Sequence, residues 1–178
     1  MTLIRTTIET PLGAMLALAS DNGLVALEFD AEARHLRLHH RLMKFLPGHV
    51  IVDGESDVFE WTRSWLTRYF GGQGVELTGL ELDQFGDEFE RRVWSALVGI
   101  PPGTTESYGA VAKKIGSPTA ARAVGLANGA NPIAIIVPCH RVVGADGSLT
   151  GYGGGLERKK WLLAHESRWR RDLLQHHS

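Results

Sequence analysis

One cysteine, Cys139, is all the thiol this chain of 178 residues contains. An internal disulfide is therefore excluded, as is a zinc site built on several thiolates. Such sparing use fits a reducing compartment. No apolar run approaches the ~20 residues needed to cross a bilayer. The opening MTLIRTTIETPLG lacks the basic-then-apolar layout of a secretory signal, so a cytoplasmic protein with no membrane partner is expected. Repeats and low-complexity tracts are missing too. No Gly-x-Gly-x-x-Gly follows a strand, which leaves a dinucleotide fold unsupported, and nothing calls for a cofactor or a metal.

Net charge is only −1, which by itself argues against a nucleic-acid partner, but the two halves differ. Residues 1–85 carry 7 Lys/Arg against 12 Asp/Glu, or −5; residues 86–178 carry 12 against 8, or +4. One half is thus suited to face an anionic partner, unless the charges are merely solvated.

The chain reads as mixed α/β (α+β). Its first thirty residues alternate and break at TPLG and DNG, the pattern of a small antiparallel sheet of hairpins. Residues 31–45 have a weak helical pattern. Val58, Trp61, Trp65 and Tyr69 form one apolar helical stripe, which GGQG at 71–74 ends. Phe89, Val93, Trp94, Leu97 and Ile100 mark another helix, ended by PPG. The expected division is an N-terminal support domain over 1–82, a mostly helical C-terminal domain over 83–170 with a helix-turn-helix and a short buried strand, and a tail over 171–178.

ESYGAVAKKIG puts Tyr108, Val111, Ala112 and Ile115 on one helical face, and Gly116-Ser117-Pro118 makes a turn. TAARAVGLANG then gives a second helix, with Thr119 as its cap and Gly129 as its stop. Two short helices joined by a tight turn spell a helix-turn-helix. On the second, Ala120, Ala123, Val124 and Ala127 form the inward face. Ala121, Arg122, Gly125 and Asn128 form the outer one: small residues around one long cation. A mid-helix glycine costs about 1 kcal/mol relative to alanine. A face that gives up stability for smoothness suits a narrow groove with an inserted arginine. Close packing on another element, with Arg122 in an ion pair, explains the same residues.

The apolar PIAIIV leads to Cys139, with His140 and Arg141 straight after it. IAIIV reads as a buried strand or extended core segment, and Pro138 forces a bend that presents the thiol. A buried cysteine is usually an inert small hydrophobe. Basic neighbours, however, lower a thiol pKa from about 8.5 towards the nucleophilic thiolate. His140 would serve as base, directly or through a water, if a carboxylate oriented it. Glu166 is the candidate carboxylate, or else an exposed charge at a helix end. Between them runs a loop, GYGGG, that can fold over a planar ligand.

PCHRV (138–142), ARAVGLANGANPI (121–133), SYGAVA (107–112) and GYGGGLERKKWLLAHE (151–166) together resemble the O6-alkylguanine-DNA alkyltransferases over residues 80–166. The resemblance implies a single-turnover transfer of an alkyl group from O6 of a flipped-out guanine to Cys139, with O4-alkylthymine as a minor substrate. His140 would move the proton through a water with Glu166 behind it. Arg122 would fill the gap left by the extruded nucleotide. Ala121, Gly125, Asn128 and Thr119 would line the DNA. Tyr108 would turn the 3′ phosphate and donate towards the leaving purine. Asn131 would tie the turn between helix and active-site segment. The carbonyls of Cys139 and Val142 would accept from the guanine amino group. Tyr152, Gly153, Ala134 and Pro138 would line the pocket. The partner implied is double-stranded DNA carrying O6-alkylguanine, and single-stranded DNA as well, bound by a monomer, with cooperativity along DNA left open. Some relatives carry serine at the position of Gly153 and proline at that of Ala134, and some bind zinc through cysteines that this chain lacks.

Two other readings stand beside it. A helix-turn-helix regulator leaves Cys139 unexplained, and a cysteine hydrolase leaves Arg122 and the smooth helix unexplained.

Overall fold

A computed structural model describes residues 1–73 and 79–175, with side chains as far as Trp169. Two compact units emerge. The first comprises Met1–Gly71, the described part of Val75–Gly86, and the short segment Pro132–Ala134; the second holds the remainder, chiefly Asp87–Asn131 and the residues from Ile135 on.

In the first unit the hairpin signals hold. β1 (Thr2–Thr10), β2 (Gly13–Ser20) and β3 (Gly23–Phe29) run antiparallel, and β4 (Val50–Asp53) joins the free edge of β1 in parallel register. The sheet order is β3-β2-β1-β4. Gly23 ends the DNG turn at φ +146°, and a Cβ there would lie 2.2 Å from the Glu81 carbonyl oxygen, so only glycine fits. All of β3 is buried. α1 (Glu32–Phe45) sets Leu38 and Leu42 into a core with Leu3, Leu18, Val25, Ala26 and Phe85.

α2 (Asp57–Phe70) is capped by Ser56, whose Oγ accepts from Val58 N at 3.1 Å. Its core face differs from the expected stripe. Phe59, Thr62, Trp65, Leu66 and Tyr69 are buried, whereas Val58 and Trp61 are only half-buried. Of the GGQG expected to end it, Gly71 caps the helix and Gly72 takes φ +80°; Gly74 lies outside the described residues.

The second unit begins with α3 (Glu88–Val98). Asp87 and Glu90 form a reciprocal capping box there, Glu90 N donating to Asp87 Oδ1 at 2.8 Å and Asp87 N to Glu90 Oε2 at 3.1 Å. β5 (Glu106–Ser107) leads into α4 (Tyr108–Lys114), and α5 (Ala121–Gly129) follows after a short connection. These three helices pack on one another, and the Trp94 indole donates to Ala127 O at 2.9 Å. Thr119 does not cap α5: the cap position is Ala120, with no side-chain bond. β6 (Val142–Val143) pairs in parallel with β5, and α6 runs from Leu156 to Gln175. The last three residues, with His176 and His177, lie outside the described residues. No described helix is long and apolar enough to cross a membrane.

The segment read as a buried strand is buried but turned. Leu27 N donates to Pro132 O at 2.9 Å and Ala134 N to Leu27 O at 2.8 Å, a single bridge beside β3. Ile135 then takes φ +69°, so the ladder cannot continue. A fully buried, β-branched residue in the left-handed region is a strained position.

Candidate active site

The site is a knot of backbone around one thiol. Asn131 Nδ2 donates to Val137 O at 2.8 Å and closes the loop that carries Ile135. Cys139 N donates to the same carbonyl at 2.8 Å. Pro138 makes the expected bend, at φ −81° and ψ 62°, into a 3-10 turn over Cys139–Arg141. Asn128 Nδ2, from α5, donates to Cys139 O at 3.2 Å. Cys139 itself is buried, with 6% of its surface exposed.

Next to it lies a charged cluster with almost no solvent. His140 Nε2 meets Glu166 Oε1 at 2.7 Å. Arg141 grips the same carboxylate with two nitrogens, Nε to Oε2 at 3.0 Å and Nη2 to Oε1 at 2.9 Å, and its Nη1 donates to Ile100 O at 2.6 Å. Gly103 N adds a long contact to Oε2 at 3.4 Å. Burial pushes the Glu166 carboxyl up, but His140 and the Arg141 fork outweigh it and hold it well below the carboxylate range. An ionised carboxylate only accepts, so His140 Nε2 carries its proton and Nδ1 keeps a lone pair. That Nδ1 is buried and has no hydrogen-bond partner among the described residues. Burial above all, with Arg141 and Lys159 adding to it, lowers the His140 pKa against the pull of Glu166. The imidazole is neutral and able to take a proton.

Lys159 supplies the balancing cation. Its Nζ donates to Val142 O at 2.6 Å and to Thr150 O at 3.1 Å. Burial lowers its pKa, while the charge of Cys139 raises it. A buried ammonium beside a thiol favours the thiolate.

The structure thus brings Cys139, His140, Glu166 and Asn131 together. Glu166 is no helix-end charge: it is the eleventh residue of α6 and fully buried. Tyr108 is half-buried, and its hydroxyl donates to Thr150 O at 3.2 Å. A Cβ added at Gly125 would make only an ordinary contact with the Tyr108 ring, at 3.8 Å, so packing within the helix pair does not require the glycine.

Arg122 and Thr119 are exposed and Ala121 half-buried, and Arg122 makes no ion pair with any described residue. Two face assignments on α5 need correction, one outer and one inner. Asn128 is buried, 3% exposed, because its amide is used on Cys139 O, while Ala123, expected inside, is exposed. Of the two carbonyls assigned to substrate, Cys139 O already accepts from Asn128 Nδ2 and from Val142 N, and Val142 O accepts from Lys159. Tyr152 is half-buried, Gly153 exposed and Pro138 buried; Ala134 is buried within the first unit.

The motifs in the sequence do not single out Lys159, and they offer Arg141 only as a basic neighbour of the thiol, not as the clamp on Glu166. The signal was present for the lysine: Lys159, Leu162, Glu166 and Trp169 lie on one face of α6, and all four are buried. Charges on an apolar stripe demand partners. Among the described residues no group of His, Cys, Asp or Glu is arranged to hold a metal.

Two family models match the chain: the 6-O-methylguanine DNA methyltransferase ribonuclease-like domain over residues 3–84, and the DNA binding domain of the same enzymes over 88–168. The chain belongs to the 6-O-methylguanine DNA methyltransferase family. It is 46% identical over 160 residues to the methylated-DNA–protein-cysteine methyltransferase of Mycobacterium bovis, covering 90% of each chain. The Salmonella typhimurium protein of the same name is 41% identical over 169 residues, 92% of this chain and 95% of that one. The Mycolicibacterium paratuberculosis relative is 65% identical over 103 residues, and that alignment spans 58% of this chain and 62% of the relative. Among solved structures, Mycobacterium tuberculosis OGT in complex with DNA superposes with a TM-score of 0.75 at 43% identity, covering 95% of this chain and 94% of that one. The O6-methylguanine-DNA methyltransferase of Pyrococcus kodakaraensis gives 0.67 at 27% identity, covering 92% and 98%. Family membership leaves neither a sequence-specific regulator nor a turnover hydrolase as the better reading.

Proposed function

We propose that this protein repairs DNA by moving an alkyl group, methyl above all, from O6 of guanine to Cys139, once per molecule. The observation that carries the reading is the buried pair of neutral His140 and ionised Glu166 straight after the buried Cys139, with the Lys159 charge coupled to that thiol. The step is a displacement at an sp³ carbon. The sulfur–carbon bond forms as the O6–carbon bond breaks, and the guanine keeps the electron pair. The thiol proton passes to His140 Nδ1 through a water. The departing guanine accepts a hydrogen bond or proton from Tyr108, whose hydroxyl gives up its bond to Thr150 O to donate it. A thioether has no easy leaving group, so the molecule does not turn over.

A base inside a duplex must leave the stack to reach a buried sulfur, at a cost of a few kcal/mol that a poorly pairing lesion reduces. In this reading the exposed Arg122 fills the minor-groove side of the gap, beside Ala121, Thr119 and the backbone at Gly125. Tyr152 and Gly153 cover the base, and its amino group donates to the Val142 carbonyl and to the Cys139 carbonyl, which gives up a bond from Asn128 or Val142 N to accept it. O4-alkylthymine is a minor substrate, single-stranded DNA is accepted, and the protein acts as a monomer in a cytoplasm that keeps its thiol reduced.

Intact-protein mass after incubation with a duplex containing O6-methylguanine tests this, with peptide mapping and a Cys139→Ser control. The expected result is a gain of one methyl per chain at Cys139 and none in the variant. An unchanged mass with an intact lesion, from folded protein, overturns the reading.

A further inference from the structure

Leu126 is the most exposed large apolar side chain among the described residues, at 73%. It projects from α5, one helical turn beyond Arg122 and on the same face. Its neighbours on the helix surface, three and four positions away, are Arg122, Ala123, Gly129 and Ala130. Three of the four are too small to shelter it. Helix propensity gives no reason for it either, since alanine is the better helix former at an exposed position. On the same helix the buried positions are Val124, Ala127 and Asn128, so Leu126 points away from the core of its unit.

We infer that Leu126 is an apolar wedge that the protein presses against the sugars and base edges of the duplex beside Arg122. The inference rests on DNA being the partner of this helix. The local surface suits it: Ala123 and Gly129 leave the backbone low on both sides of the leucine, so the side chain can reach into a groove without its neighbours meeting the walls. Arg122 brings the charge that phosphates attract, and Leu126 brings the apolar surface that charge cannot replace. Apolar side chains inserted at a base step are a known means of opening a stack. The leucine therefore acts on extrusion of the lesion and not on the chemistry at sulfur.

The test compares the native protein with Leu126→Ala, Leu126→Lys and Arg122→Ala. Single-turnover methyl transfer from duplex O6-methylguanine is read beside reaction with free O6-benzylguanine, which has no duplex to open. Leu126→Ala should slow duplex repair about tenfold, equivalent to about 1.4 kcal/mol. Its rate on the free base should stay within about twofold, since the exposed site carries no core packing. Leu126→Lys should be as slow on duplex as the alanine variant. A lysine variant as fast as the native protein would mean that the position meets phosphate, and would overturn the wedge. So would native-like duplex repair by Leu126→Ala, equal loss on both substrates, or loss of a self-association that the native protein shows in sedimentation without DNA. A native protein that gains neither a methyl from the duplex nor a benzyl from the free base fails the reading of function instead, whatever Leu126 does.

Discussion

Replacing Glu166 by glutamine tests the charged cluster where it is most exacting. The change keeps the shape of the side chain and removes one charge. Glu166 is wholly buried, and the Arg141 side chain is 8% exposed. Glutamine offers one acceptor oxygen and one NH₂ where the carboxylate takes four N–H groups from His140, Arg141 and Gly103. Whichever way the amide turns, it sets a donor against a donor and leaves the guanidinium buried without its counter-charge. Breaking such a pair from one side costs about 3–5 kcal/mol. With a urea slope of about 2 kcal/mol/M, the unfolding midpoint should fall by about 2 M. Arg141→Met alone should be costly for the mirror-image reason. The double variant should lose less than the sum, because neither uncompensated charge remains. Methyl transfer should slow as well, since without Glu166 the His140 pKa sinks further and its hold on the correct tautomer goes. Urea titration of the four proteins decides the matter. A midpoint within about 0.3 M of native for Glu166→Gln, or strict additivity in the double variant, would refute the hub.

Glycine at a buried helix or strand position is ordinarily less stable than alanine by about 0.5–1 kcal/mol. At Ile135, φ +69° reverses this, so Ile135→Gly should be more stable than Ile135→Ala by about 1 kcal/mol in urea; the ordinary order would remove the strain argument. His140 titrates below its ordinary 6.5 and Glu166 below its ordinary 4.5, so the unfolded chain binds more protons as pH falls. Their contribution is present above about pH 6.5 and lost on acidification, and the fall should be shallower in Glu166→Gln; an unchanged acid limb in urea midpoints would count against it. Glu28 acts in the opposite sense. Burial pushes its carboxyl up to about 7, against Arg34, Arg37 and Arg41, so its contribution declines as pH rises from 4.5 through 7. Glu28→Gln should abolish that decline between about pH 5 and pH 7.5, and a variant with the native slope would show that the carboxyl titrates elsewhere.

Much of the first unit could be read from the residues because its signals are local. DNG must turn, and alternation across two runs fixes the hairpin. β4 could not be read: its four residues are too few for periodicity, and its pairing with β1 spans nearly fifty positions. On α2 the apolar stripe was displaced because aromatic residues lie on both sides of it, and packing chose Phe59 and Leu66 over Val58 and Trp61. IAIIV shows the limit of composition. Its burial followed from apolar content, but its turn follows from Asn131 reaching Val137 O, a bond between side chain and backbone that no propensity encodes. At the site, Cys139 and His140 stand next to each other in the chain, and local chemistry picked them out. Glu166 was only a candidate on spacing. Lys159 is not singled out, nor is the grip of Arg141 on Glu166 legible, because a cation in sequence reads as a solvated surface group until its burial and partners are known.

Pro132–Ala134 belongs to the first unit although residues on both sides of it belong to the second. Two of its backbone hydrogen bonds go to the amide and carbonyl of a single residue, Leu27. Assembling a chimaera from two relatives by one crossover near Gly86 would therefore mix ancestries inside one unit. β3 would come from one parent and the three residues paired to it from the other, directly upstream of the strained Ile135. Grafts of this protein need a second exchange, in which 132–134 travels with β3.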